Sequence, residues 1–192
     1  LLHLPVCFLK KGFELNEMIL RLFVALFGAV IGSFLNVLIY RLPRELDFVY
    51  TRSSCPHCNA KIPWYLNIPI IGYLVLQGRC RECREKISIR YPFVESIVAL
   101  AALLFMPSSQ SLHQIVLYIY HLALFSAFIV HFFIDLEHHL LLDRISIYIF
   151  MLMFPYAVFF FQWKFWLFGA LIGFAGTYLV TWIFYMLRGK IG

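Results

Sequence analysis

Four cysteines and three aspartates carry most of the chemistry open to this chain. Cys55-Pro56-His57-Cys58 and Cys80-Arg81-Glu82-Cys83 are two C-x2-C knuckles with 21 residues between them, an array that offers four thiolates to a tetrahedral Zn²⁺. A site with four protein ligands leaves the metal no open position, so its role is structural. Paired disulfides and redox thiols are the other readings of the spacing, and a reducing cytosol favours metal. Cys7 is left over. His57 and Trp64 offer a fifth ligand and a stacking platform, but a solvated knuckle residue and an interfacial anchor are the expected roles.

The aspartates are Asp47, Asp135 and Asp143. Asp135 closes the apolar run from His121 to Ile134, where an ionisable group is costly and functional by default. A helix-end carboxylate among lipid headgroups is the alternative, and the residues alone leave both open. Glu137, His138 and His139 follow, but the chain has no H-E-x-x-H, so they are expected to be solvated loop groups rather than metal ligands. Peptide hydrolysis without a metal or an activated nucleophile needs two carboxylates sharing a proton. The ionised one activates water, and the protonated one donates to the carbonyl oxygen. Asp143 is a poor second member, because its separation from Asp135 along a helix would be about 12 Å. The partner is expected outside these 192 residues.

The elements that must position these groups follow from composition. Hydrophobic residues make up 62% of the chain and charged ones 14%, against roughly 45–50% apolar in a soluble domain. A bilayer core about 30 Å thick takes about 20 apolar residues as a helix. Such runs lie near 18–40, 92–107, 113–134, 145–162 and 165–187. Lipid gives an open backbone no hydrogen-bond partner, so each run is expected to be helical, with Pro155 tolerated as a kink in the fourth.

The fold class is therefore an all-α polytopic membrane protein with about five transmembrane helices and a small zinc-ribbon-like insertion between the first two. Nine of the 16 Lys and Arg lie between Arg41 and Arg90, against four acids, which puts this insertion in the cytosol. Threaded from there, Asp135 returns to the cytosolic face, Gln162-Trp163-Lys164 turn outside, and Arg188 and Lys190 end inside. The net charge of +6 is then a matter of topology and anionic lipid, with no nucleic-acid partner.

Residues 1–17 are set apart as an N-terminal segment that need not be native, with Met18 a candidate start. Residues 18–40 form the first helix, 41–91 a cysteine domain with a small hairpin, and 92–192 the remaining helices of an incomplete domain. Gly28/Gly32 and Gly169/Gly173 have G-x-x-x-G spacing. Packing within the chain is the first expectation, and a homodimer the second.

Several of these stretches together resemble the type IV prepilin peptidases, integral-membrane aspartic proteases that also N-methylate their product. Gly32-Ser33-Phe34-Leu35-Asn36-Val37-Leu38-Ile39-Tyr40-Arg41-Leu42-Pro43 is similar to the family's signature at the end of its first helix. Asn67-Ile68-Pro69, Gly78-Arg79-Cys80 and Ile87-Ser88-Ile89-Arg90-Tyr91-Pro92-Phe93-Val94-Glu95 are similar to its cysteine domain and the exit into the second helix. Asp135 falls at the first catalytic aspartate, in a stretch similar to I-D-x-x-x-x-L-L-P-D, with Leu142 where the family has proline.

The resemblance covers about residues 18–192. It implies Asp135 as a catalytic residue, Cys55, Cys58, Cys80 and Cys83 as zinc ligands, and S-adenosylmethionine as methyl donor. The implied substrates are type IV prepilin or pseudopilin precursors, whose basic leader meets the enzyme at the cytosolic face of the bacterial inner membrane. Asn36 and Glu95 are candidates for the donor's site, beside interhelical hydrogen bonding and capping. The family's G-x-G-D, which supplies the second aspartate, is expected soon after Gly192, so residues 1–192 alone are expected to lack peptidase activity. A catalytically incomplete zinc-ribbon adaptor and a methyltransferase alone are the alternatives.

Overall fold

The computed structural model describes residues 4–47, 52–107, 111–139, 142–160 and 163–188. Every extended element among them is a helix: α1 (Leu4–Arg41), α2 (Ile71–Val75), α3 (Arg90–Leu104), α4 (Leu112–His138), α5 (Asp143–Phe160) and α6 (Trp163–Arg188). α1 starts well before Met18 and runs unbroken to Arg41. It stops where Pro43 enters a single 3₁₀ turn, and Glu45 at φ 53° turns the chain away. Pro92 lies in the first turn of α3, where its missing N–H costs nothing. Ser111 caps α4 by accepting from Gln114 N, and His139 at φ 52° ends it, its N–H donating to Asp135 O at 2.8 Å. Pro155 sits inside α5.

Two described helices are long and apolar enough to cross a membrane, Leu15–Arg44 and Leu112–His138. α3, with 15 residues, rises only about 22 Å, and the apolar stretch Leu167–Val180 in α6 is shorter than a full span.

The chain divides into two compact units, Leu1–Ser146 and Ile147–Gly192. In the first, α1 packs on α3 and α4 around Leu35, Ile39, Val94, Val98, Ala102 and Ile134, all at most 5% exposed. Gly28 and Gly32 bring α1 and α3 into backbone contact. A Cβ on Gly28 would stand 2.7 Å from Ala102 Cβ, and one on Gly32 would stand 2.7 Å from Glu95 Cα. This G-x-x-x-G is used within the chain. Outward-facing Phe23, Leu26, Val116, Ile119 and Phe132 are all more than half exposed, an apolar surface of the kind that lipid covers. In the second unit, among the described residues, a Cβ added at Gly169 or Gly173 would meet nothing within 4 Å beyond its own helix backbone and chain neighbours.

The cysteine module differs from the expected hairpin. Among the described residues it holds no named strand, only the single bridges Ser54↔Lys61 and Arg79↔Lys86, a 3₁₀ turn (Trp64–Asn67) and the five-residue α2. Each bridge frames one knuckle, and so tight a loop leaves no length for a ladder.

Candidate functional site

The two knuckles repeat one backbone design. Cys55 N donates to Ala60 O and Asn59 N to Cys55 O; Cys80 N donates to Glu85 O and Arg84 N to Cys80 O. Asn59 and Arg84, one residue after each second cysteine, hold left-handed conformations at φ 56° and 61°. In the second knuckle the turn brings backbone N–H groups to the sulfurs, which favours thiolate there.

The knuckles interleave, with Cys55 Sγ 3.9 Å from Cys83 Sγ and Cys58 Sγ 3.9 Å from Cys80 Sγ. All four sulfurs lie within 4.8 Å of one another. A ZnS₄ tetrahedron with Zn–S near 2.3 Å has edges of about 3.8 Å, so the donor set fits that ion. The backbone N–H groups of Cys83 and Glu82 lower the Cys80 thiol to about 7. At Cys83 the Glu85 N–H lowers the thiol as well, but burial and the three neighbouring sulfurs outweigh it and push it up to about 12. Thiolate is therefore easier to form at Cys80 than at Cys83. Trp64, 81% exposed, and His57, also exposed, stand outside this cluster, as expected.

The candidate carboxylate, Asp135, lies at the C-terminal turn of α4. Ile134 is fully buried and Phe133 nearly so, which anchors the turn, while Asp135 next to them is exposed. Glu137 and His138 belong to the helix, not to a solvated loop. Glu137 pairs with Arg90, which is only 9% exposed, and Arg44 Nη1 lies 3.4 Å from His138 Nε2. Sequence patterning does not mark this ion pair: Arg90 opens a helix that carries its own acid, Glu95, and the acid it meets lies 47 positions away. Asp143 opens α5, so it shares no helix with Asp135, and the carbonyl of Leu142 accepts from Ile145 and Ser146 to start that helix. Residues 140 and 141 lie outside the described residues.

Between the α1 terminus and the module lies a cavity of ≈ 590 Å³ whose wall includes Ser33, Asn36, Tyr40, Tyr91, Glu95 and Glu137. Asn36 Nδ2 donates to Tyr91 O at 3.1 Å, tying α1 to α3, and Glu95 Oε2 accepts from Ile70 N at 2.7 Å, capping α2. The interhelical and capping roles are thus both filled, at the edge of a recess of small-molecule size.

Comparison with known proteins bears on this arrangement directly. The model of the Bacterial Peptidase A24 N-terminal domain matches residues 26–108. The prepilin leader peptidase/N-methyltransferase of Dichelobacter nodosus is 32% identical over 207 aligned positions, which cover 88% of this chain and 68% of that protein. The Klebsiella pneumoniae protein of the same name is 32% identical over 88% of this chain and 76% of its own. The chain belongs to the prepilin leader peptidase/N-methyltransferase family.

The member of that family from Vibrio cholerae is 38% identical over 73% of this chain, and the match covers 57% of its own length. For the Myxococcus xanthus member the covered share of its length is 35%, so the chain spans about half or less of these two relatives. No solved structure matches the chain. Within the family match of 26–108 fall both knuckles, Asn36, Arg90 and Glu95; Asp135 lies beyond it.

Proposed function

We propose that this protein removes the leader of a type IV prepilin or pseudopilin at the cytosolic face of the bacterial inner membrane and N-methylates the new N-terminus. Asp135 is one of the two carboxylates. Its exposure on the last turn of a membrane-length helix, over the buried Ile134, supports the role, because a substrate helix lying in the bilayer presents its leader junction at that depth. In the shared-proton scheme one aspartate takes a proton from water as the other donates to the carbonyl oxygen of the scissile bond.

α1, α3, α4, α5 and α6 are read as five spans, with residues 41–91 as the cytosolic cysteine domain and 92–192 as the further helices. The positive charges gathered between Arg41 and Arg90 support that orientation. Cys55, Cys58, Cys80 and Cys83 hold a structural zinc that closes the module. S-adenosylmethionine, when bound, supplies an electrophilic methyl group; the ≈ 590 Å³ recess offers room for a molecule of that size, with tyrosines at Tyr40 and Tyr91 and carboxylates at Glu95 and Glu137.

The single observation that carries this reading is the exposed carboxylate of Asp135 on the last turn of the membrane-length helix α4. Asp135→Asn, introduced in the native gene, tests it. Leader removal, followed by the size shift of a prepilin, is expected to fall by about 10²–10⁴-fold, while methylation of an already cleaved pilin peptide continues. Cleavage at the unmodified rate would end the proposal.

A further inference from the structure

The last turn of α4 is gripped by two arginines that stand at the two roots of the cysteine module. Arg44, where the chain leaves α1, approaches His138 and is braced in turn by Tyr40. The guanidinium carbon lies 4.2 Å from that ring's centroid, and Nη1 donates to Tyr40 O at 2.7 Å. Arg90, where the chain re-enters as α3, pairs through Nη1 with Glu137 Oε2. Asp135 thus lies within a turn of both contacts. Two residues along a helix turn about 200°, so Glu137 holds the helix on the side opposite the exposed carboxylate of Asp135. Close beneath, the Phe93 and Phe133 rings meet edge to face at 6.3 Å and complete the α3–α4 contact.

We propose that Arg90 and Glu137 are positioning residues for peptide cleavage: their ion pair fixes the rotation and height of the α4 terminus, so that Asp135 is presented to the scissile bond in one geometry. This rests on the reading of Asp135 as a catalytic carboxylate. The Arg90 side chain is nine-tenths buried and that of Glu137 is a third exposed, so losing the carboxylate strands the guanidinium where little water reaches it, and the helix end favours the setting that keeps the pair. Arg44 and His138 form the second brace. Because both arginines are anchored where the module begins and ends, the cysteine module takes part in cleavage through geometry, without touching the substrate. A catalytic group misplaced by about 1 Å loses about 10²-fold in rate.

The test uses the protein expressed from its native gene, in membranes. Initial rates of leader removal are measured against prepilin concentration for Glu137→Ala, for Arg90→Glu, for the exchange Arg90→Glu with Glu137→Arg, and for Asp135→Asn. Rates are normalised to the amount of folded, metal-loaded protein. Each single change is expected to lower kcat about 30- to 100-fold with KM within about twofold, and the exchange to recover at least about tenfold of that loss. A purely structural pair would reduce the folded amount and leave kcat per folded molecule unchanged; that result, or an exchange that recovers nothing, overturns the proposal. If Asp135→Asn abolishes cleavage while the pair variants keep their kcat, the positioning role alone is lost. If Asp135→Asn itself still cleaves, the reading of Asp135 is lost instead.

Discussion

Replacing Gly32 by alanine would test whether α1 and α3 are held at backbone contact. The added Cβ would stand 2.7 Å from Glu95 Cα, 3.0 Å from Val94 O and 3.2 Å from Glu95 N, all of them backbone atoms that cannot swing aside. Carbon atoms rest at about 3.5–4.0 Å, so the two helices must part by about 1 Å. That displacement stretches the Asn36 Nδ2 to Tyr91 O bond from 3.1 Å to beyond hydrogen-bonding range.

Overpacking of this kind costs about 1–3 kcal/mol. The lost hydrogen bond adds about 1 kcal/mol. Alanine's better helix propensity returns about 1 kcal/mol, so a net loss of about 1–3 kcal/mol remains. Gly169→Ala is the matched control, since among the described residues nothing beyond its own helix backbone and chain neighbours lies within 4 Å of its added Cβ. Thermal unfolding in one detergent, followed by tryptophan fluorescence, should show the Gly32→Ala midpoint several degrees below that of the unmodified protein, and the Gly169→Ala midpoint unchanged or slightly higher. Two superimposable curves would mean that α1 and α3 do not approach as described.

Two more outcomes follow from the cysteine module. Cys58→Ser or Cys80→Ser should reduce bound zinc, by metal analysis of the purified protein, from about one equivalent to a small fraction, since a structural site uses all four ligands; undiminished zinc in both would remove the metal centre. Gly72→Ala would set a Cβ 2.0 Å from Leu66 O, so α2 must leave the Trp64–Asn67 turn, and limited proteolysis should cut the variant faster between Pro63 and Gly78; an unchanged digestion pattern would refute that packing.

What could be read from the chain beforehand divides along a physical line. Helices declare themselves locally, because a run of apolar residues has one satisfactory backbone in lipid, and α3, α4, α5 and α6 begin and end close to the apolar runs. The cysteine spacing likewise implies a shared cluster, since two C-x2-C turns bring their sulfurs to one side, and the four Sγ atoms do converge. The Gly28/Gly32 spacing points to close helix contact, and the structure assigns that contact to α3.

Pairings between distant residues leave no such local mark. Arg90 and Glu137 are 47 positions apart, and nothing near Glu137 separates a tethered acid from a solvated one. Ile70 at φ 64° and ψ −50° is a β-branched residue at the centre of a tight three-residue turn closed by Ile71 N donating to Pro69 O, a rarely occupied conformation whose N–H is bound by the carboxylate of Glu95 from 25 positions away. The hairpin was expected from the turn-forming residues Pro63, Pro69 and Gly78 between the knuckles; that stretch instead folds as the Trp64–Asn67 turn and α2, and each knuckle carries a single bridge.

The interleaving of the knuckles has a mechanical consequence. Cys58 and Cys80 meet across 22 positions of chain, so whatever joins them closes that stretch into a ring. Closing a ring of this length removes freedom from the unfolded chain worth about 2.7 kcal/mol by the logarithmic loop rule. A metal held by four sulfurs would do this without any oxidation, acting as a rivet that a reductant leaves intact and a chelator pulls out. The module would then keep its shape in a thiol-rich compartment, where a disulfide staple between the same residues would open.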